Sequence, residues 1–509
     1  MSSTFKRYLW ATTAAAALTV PGLGAAQEVV AETEAPLSAI EWLEQVPVEE
    51  GLGAEGTALF LETPVVNTGA IPSVEAAPLD QSTGPGFGLF GEAASGFPST
   101  LWQGADLAAV DRALSALPDE ALAPVAALRM RLLLASAAAP RGTVGSEFLS
   151  LRVNQLTALG AADEALALLE GTDPMSPAIF GAYADLALVS NTEDVACRRL
   201  ALNPALSDDL AFRTFCLARN RDWNAAALTL QSAEILGEIP GDLGVLLAQF
   251  LEPELADHGP INFDDIPMTP LVVRLREAVG VPIASTGLPR VFAQGDLRPE
   301  MGWKAQIDAA ERLVRTGALR PGQLFAFYTE GTPSASGSVW DRAEAVQKLD
   351  AALDGGSPRA LERALEAAWN EMARASLLEP LAVMVAPRLD PTAELSSVAR
   401  ARLNGLLLLS DRYEDVGDDA GSLALGLAYG DVSAAAPRTA LERALVAGFS
   451  GQLEQPSGTL GVAILQALAQ VEAARQGDLS RLSTGLSTLR AVGLESSARQ
   501  IALHLLVLS

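Results

Sequence analysis

Reactive side chains are scarce in this chain of 509 residues, which holds two histidines and two cysteines. His258 stands in a Pro-rich stretch and His504 in an apolar one beside Leu503 and Leu505. Neither has a second His or a Cys at ligand spacing, so no metal site is expected. GxSxG, HExxH and Walker A patterns are missing, so no catalytic residue and no cofactor are assigned. Positive charge is also sparse. No Lys or Arg occurs between Arg7 and Arg112, and 35 basic residues face 62 acidic ones for a net charge of −27. That field repels nucleic acid and anionic lipid head groups. It keeps an exported protein in solution, or else it meets a basic partner. Long apolar runs are lacking too: Leu122 to Ala139 is interrupted by Pro124, Arg129 and Arg131, so no integral membrane segment is expected after the leader.

The leader itself is clear. Lys6 and Arg7 precede an apolar stretch from Tyr8 to Val20, Pro21 and Gly22 break it, and Gly24-Ala25-Ala26 precede Gln27. A basic head, an apolar core too short to span a bilayer and a small-residue end make residues 1–26 a secretory signal peptide cleaved near Ala26. No Cys follows the cleavage region for lipid attachment, which points to the periplasm or the exterior. In such a compartment Cys197 and Cys216 are a disulfide by default. A helix expected after Asn191-Thr192 carries Cys197, Asn203-Pro204 makes a turn, and Ser207 caps the helix that carries Cys216. The two cysteines are near-equidistant from that bend, so an antiparallel hairpin brings them face to face.

Composition divides the remainder. Residues 27–98 are acidic, Pro- and Gly-rich and weak in apolar periodicity, which makes them a disordered lead with a short helix at 37–46 carrying Trp42. Within it, Gly86-Phe87-Gly88-Leu89-Phe90-Gly91 matches GxGxxG literally. No strand signal precedes it, so it reads as a flexible Gly/Phe segment and not as a phosphate loop. From Leu101 onward, Ala and Leu recur at helical spacing in units of about ten to eighteen residues joined by Gly, Pro or Asp turns. Examples are Ala121–Ala138, Ser146–Leu159, Ala162–Glu170, Trp223–Leu236, Val339–Leu353 and Pro358–Ala375. Seven prolines interrupt 253–299, which is a boundary or an excursion between one helical array at 99–252 and another at 300–509. Asp411, Glu414, Asp415, Asp418 and Asp419 crowd one loop without EF-hand spacing, and read as solvated carboxylates.

Leu159-Gly160-Ala161-Ala162-Asp163-Glu164-Ala165-Leu166-Ala167-Leu168 sets a turn Gly, an acidic first turn and a small residue among leucines in sequence. Val492 to Ile501 repeats that layout, and Asn220 to Leu228 is a looser instance. These segments resemble tetratricopeptide-type helical repeats of the bacterial envelope. The resemblance implies an all-α fold, an irregular antiparallel helical-hairpin array of the α-solenoid kind, after the disordered N-terminal segment. An irregular helical bundle would carry the same local cues. The function that follows is an exported, non-catalytic scaffold binding an envelope protein partner of secretion, cell-wall or motility machinery. Trp303 and Trp42 are its candidate contact residues. The alternative is a helical-body peptidoglycan hydrolase: Glu495-Ser496 is similar to the catalytic dipeptide of lytic transglycosylases, although their Gly-Leu-Met-Gln segment is absent.

Overall fold

The computed structural model describes residues 87–509 apart from 144–145, 173–174, 255–260, 334–336, 452 and 454–457. The leader, the helix expected at 37–46 with Trp42, and His258 lie outside the described residues. Among the described residues every regular element is a helix, and extended pairing is limited to two isolated bridges, Phe90 with Ala135 and Asp106 with Arg141.

The chain enters through α1 (Glu92–Ser95), α2 (Leu107–Ser115) and α3 (Ala123–Leu134). It continues through α4 (Glu147–Leu159), α5 (Ala162–Glu170), α6 (Pro177–Val189), α7 (Glu193–Leu202), α8 (Leu210–Arg219), α9 (Trp223–Leu236) and α10 (Gly241–Leu251). The Pro-rich stretch yields α11 (Pro270–Ala278) and α12 (Ala293–Asp296) between single turns. After it come α13 (Trp303–Val314), α14 (Pro321–Thr329), α15 (Val339–Leu353), α16 (Pro358–Arg374), α17 (Leu378–Val385) and α18 (Ser397–Leu408). The last are α19 (Ser422–Tyr429), α20 (Ala440–Ser450), α21 (Leu460–Arg475), α22 (Leu482–Ala491) and α23 (Glu495–Leu508).

Local chemistry sets these bounds. Ser357 caps α16 by accepting from the Ala360 N–H, Pro358 presets its first turn, and Ala364, Leu365, Ala368, Trp369 and Met372 bury one face. Thr439 and Glu442 form a reciprocal capping box on α20. The cap of α8 is Asp209, not Ser207: Pro204–Leu206 takes up a tight turn first, and the Asp209 carboxylate accepts from Ala211 and Phe212 N–H groups.

One turn geometry recurs between packed neighbours. Gly160, Asn191, Arg221, Ser376 and Gly493 all take the left-handed conformation after a helix. In each case the next N–H reaches back to the carbonyl five residues earlier, as in Ala161 to Leu156 at 2.9 Å and Leu494 to Leu489 at 2.9 Å. The helices so joined, α4–α5, α6–α7, α8–α9, α16–α17 and α22–α23, pack on each other. With two or three residues between them they fold back as hairpins. α7 and α8 form one more packed pair, bonded through Cys197 and Cys216, whose Cα atoms are 4.9 Å apart.

Residues 87–98 differ from the sequence expectation, since they pack on the body. Arg152, fully buried, donates to the carbonyls of Phe87, Leu133 and Ala135. Leu89 and Phe90 donate to Leu134, and Phe97 is buried. Gly88 leaves room for the Ala135 backbone, where a Cβ would collide. The physical reason is the aromatic and Leu side chains Phe87, Leu89 and Phe97, which pack on the core and bury apolar area there.

The first and last helices also meet. α2 and α3 pack on α21, and α3 on α23. Gly461, in the first turn of α21, donates to the Leu101 carbonyl at 3.0 Å and lies against the Trp102 ring.

Candidate functional site

The start of α3 is where distant parts of the chain converge. The N–H groups of a helix's first turn lack intrahelical acceptors. Here no local side chain supplies one. Instead Leu122 N–H donates to Glu472 Oε1 of α21 and Ala123 N–H donates to Glu379 Oε1 of α17, both at 2.8 Å. The positive end of the α3 dipole favours both carboxylates. Glu379 Oε1 also lies 2.5 Å from His504 Nδ1. Arg475 ties Glu472 at 3.1 Å and donates to the Glu120 carbonyl at 2.9 Å. Burial pushes the Glu472 carboxyl upward, against the hydrogen bonds from Leu122 and Arg475 that pull it down.

Beside this junction is a cavity of about 1160 Å³. It is bounded by α3, the turn before α14, and α16, α17, α18, α21 and α23. Its wall is mainly apolar, with Leu122, Met130, Leu319, Leu378 and Leu505 among its members. It is open to solvent: Phe90, Val383 and Leu508 on its lining are 39%, 44% and 40% exposed. Such a volume exceeds what a drug-sized ligand needs, which is about 300–1000 Å³.

Charge on that lining runs against the rest of the molecule. It carries Arg131, Arg315, Arg320, Arg402 and Arg475, with Glu120 and Glu379 as its acidic side chains. Glu120 is paired with Arg290 at 3.3 Å, and Glu379 is held by α3 and His504. Trp369 positions one of the cations: Gly405 leaves room for its ring, and the Arg402 guanidinium stacks 4.7 Å above it. Arg402 Nε is buried and bonded to nothing among the described residues. Arg131 lies 5.6 Å from the Phe97 ring, and burial lowers its pKa.

None of the protein-family models, curated proteins or solved structures compared with the chain matches it.

The residues singled out from sequence are scattered. Trp303 is half-buried, its indole N–H donating to the Phe327 carbonyl at 2.7 Å and its ring 5.0 Å from Trp340. Neither tryptophan reaches the cavity. Among the described tryptophans Trp223 is the exposed one, at 50%. Glu495 sits between Arg490 at 2.8 Å and Arg499 at 3.5 Å. In the acidic loop, Glu414, Asp415 and Asp419 pair with Arg499, Arg412 and Arg400, and Asp411 accepts from Gln500. The Phe87–Gly91 part of the GxGxxG match is followed by a helix of 4 residues, α1, and its Phe90 sits on the cavity lining. Sequence reasoning missed the cavity arginines, and each of them looks like an ordinary helix-surface charge in its own segment.

Proposed function

We propose that this chain is a non-catalytic binding scaffold of the cell envelope, exported by its leader. Its helical hairpins stack as an irregular tetratricopeptide-like array that holds a segment of a partner protein. One observation carries the reading: an apolar, solvent-open cavity of about 1160 Å³ whose two glutamates, Glu120 and Glu379, are already bound within the fold. Such a surface holds a chain by shape and burial, and needs no reacting group.

Ala127, exposed on α3 within the lining, gives the test. Ala127→Trp fills the cavity from a position that does not support the core. Cross-linking of envelope extract with the wild-type chain, followed by mass spectrometry, should return a stoichiometric protein that Ala127→Trp fails to capture. Equal capture by both would overturn the cavity as the binding site. Release of muropeptides by the purified chain, abolished in Glu495→Gln, would instead establish the hydrolase reading.

A further inference from the structure

The charge of the cavity lining is unusual for this chain, with five arginines against two glutamates. With 62 acidic residues against 35 basic ones, a guanidinium in this chain has carboxylates to spare. Arg290, Arg298, Arg388 and Arg499 each meet two carboxylates, while Arg129, Arg152 and Arg312 donate to backbone carbonyls and meet none within ion-pair distance among the described residues. Arg131, Arg320 and Arg402 meet none within ion-pair distance among the described residues, although all three line one cavity. Arg320 feels the more distant Glu164. Arg315 shares the single carboxylate of Glu311 with Arg342, which holds it more closely, at 2.7 Å against 3.4 Å.

Arg131 and Arg402 are part-buried on an apolar wall, each with an aromatic ring and no carboxylate beside it. Their charge is thus only partly compensated, and an anionic occupant would complete the compensation. Arg320 is exposed and adds to the positive field. The distribution of the charges narrows the choice: Arg131 is on α3, Arg320 precedes α14 and Arg402 is on α18. A single-headed amphiphile brings one anionic group to one point. Several carboxylates spread along an apolar chain match cations on three elements.

We propose that the cavity receives an acidic, leucine-rich peptide segment, its carboxylates on Arg131, Arg320 and Arg402 and its apolar side chains on the α3, α17 and α23 wall. This deepens the scaffold reading and rests on it. The long-range consequence is selective: the body's negative field repels acidic chains everywhere else, so only one able to bury apolar side chains here overcomes that repulsion.

The test titrates the full chain into a fluorescein-labelled peptide of alternating leucine and glutamate, into its leucine–lysine twin, and into a fluorescent fatty-acid carboxylate. Anisotropy should show saturable binding of the first only. Arg131→Gln with Arg402→Gln should weaken it at least about tenfold, while Arg131→Lys with Arg402→Lys keeps most of it. Far-ultraviolet circular dichroism checks that both variants fold. If the glutamine pair does not, Arg320→Gln, at an exposed position, reads the same charge dependence. Equal binding of the two peptides, indifference to the arginines, or binding of the fatty acid alone would overturn the proposal. Partner capture lost in Ala127→Trp but unchanged in the arginine variants would overturn the acidic segment and leave the scaffold standing. Capture unchanged in Ala127→Trp would remove both.

Discussion

Glu472 shows how one side chain serves two opposed demands. It is 2% exposed, which disfavours its charge, and it accepts from Leu122 and Arg475, which favours it. Burial wins, so its folded pKa lies above the ordinary 4.5. The folded state then binds the proton more tightly than the unfolded state. Its contribution to stability is fully present below about 4.5 and is lost as pH rises through the folded pKa. Glu472→Gln keeps an acceptor for Leu122 and removes the titration. We expect the variant to gain on the wild type between about pH 4 and about pH 7, read from urea midpoints at each pH. A gain in the opposite direction would mean that Arg475 and the α3 amides outweigh desolvation. Nothing in the sequence around Glu472 signals any of this, because its hydrogen-bond donor Leu122 is 350 residues away.

At the scale of helices the sequence is far more legible. α5, α9 and α15 have the bounds that apolar spacing alone gives, and α4 and α16 differ by one residue. The reason is that period, cap and breaker all lie within one short segment. α3 is the instructive exception. Its apolar run continues to Ala138, yet the helix stops at Leu134 because Ala135 turns extended to pair with Phe90. The recurrent turn was partly legible. Where Gly fills the left-handed position, as at 160 and 493, the repeat shows; where Asn191, Arg221 or Ser376 does, it fades. The hairpin of α7 and α8 offers a direct measurement. Closing the loop between Cys197 and Cys216 should stabilise by about 3 kcal/mol in the chain-entropy model. Cys197→Ala with Cys216→Ala should therefore lower the urea midpoint, and an unchanged midpoint would show that the bond adds nothing to this packed pair.

For the molecule as a whole, the seam between the early and late helices matters most. Gly461 is tight against Trp102, and Ala at that position would push the ring or part α2 from α21. Gly461→Ala should cost about 1–3 kcal/mol, followed by near-ultraviolet circular dichroism during thermal unfolding. If the seam unites the body, the loss falls on a single transition; two separated transitions would show the flanking arrays melting alone. The cavity belongs to this scale as well, which is why it could not be read in advance. Its cations come from segments around 131, 320 and 402, and no local pattern records that they share a wall. Trp303 stands apart from that wall, which is lined by alanines, leucines and arginines together with Phe90 and Trp369.

The two acids that finish the start of α3 are supplied by Glu379 and Glu472, residues a ribosome adds long after Ala123 has left the tunnel. Until they arrive, those amides have only water to satisfy them. Synthesis from the N-terminus thus delivers these keystones late, and the joint they close stays loose until nearly all of the chain has been made.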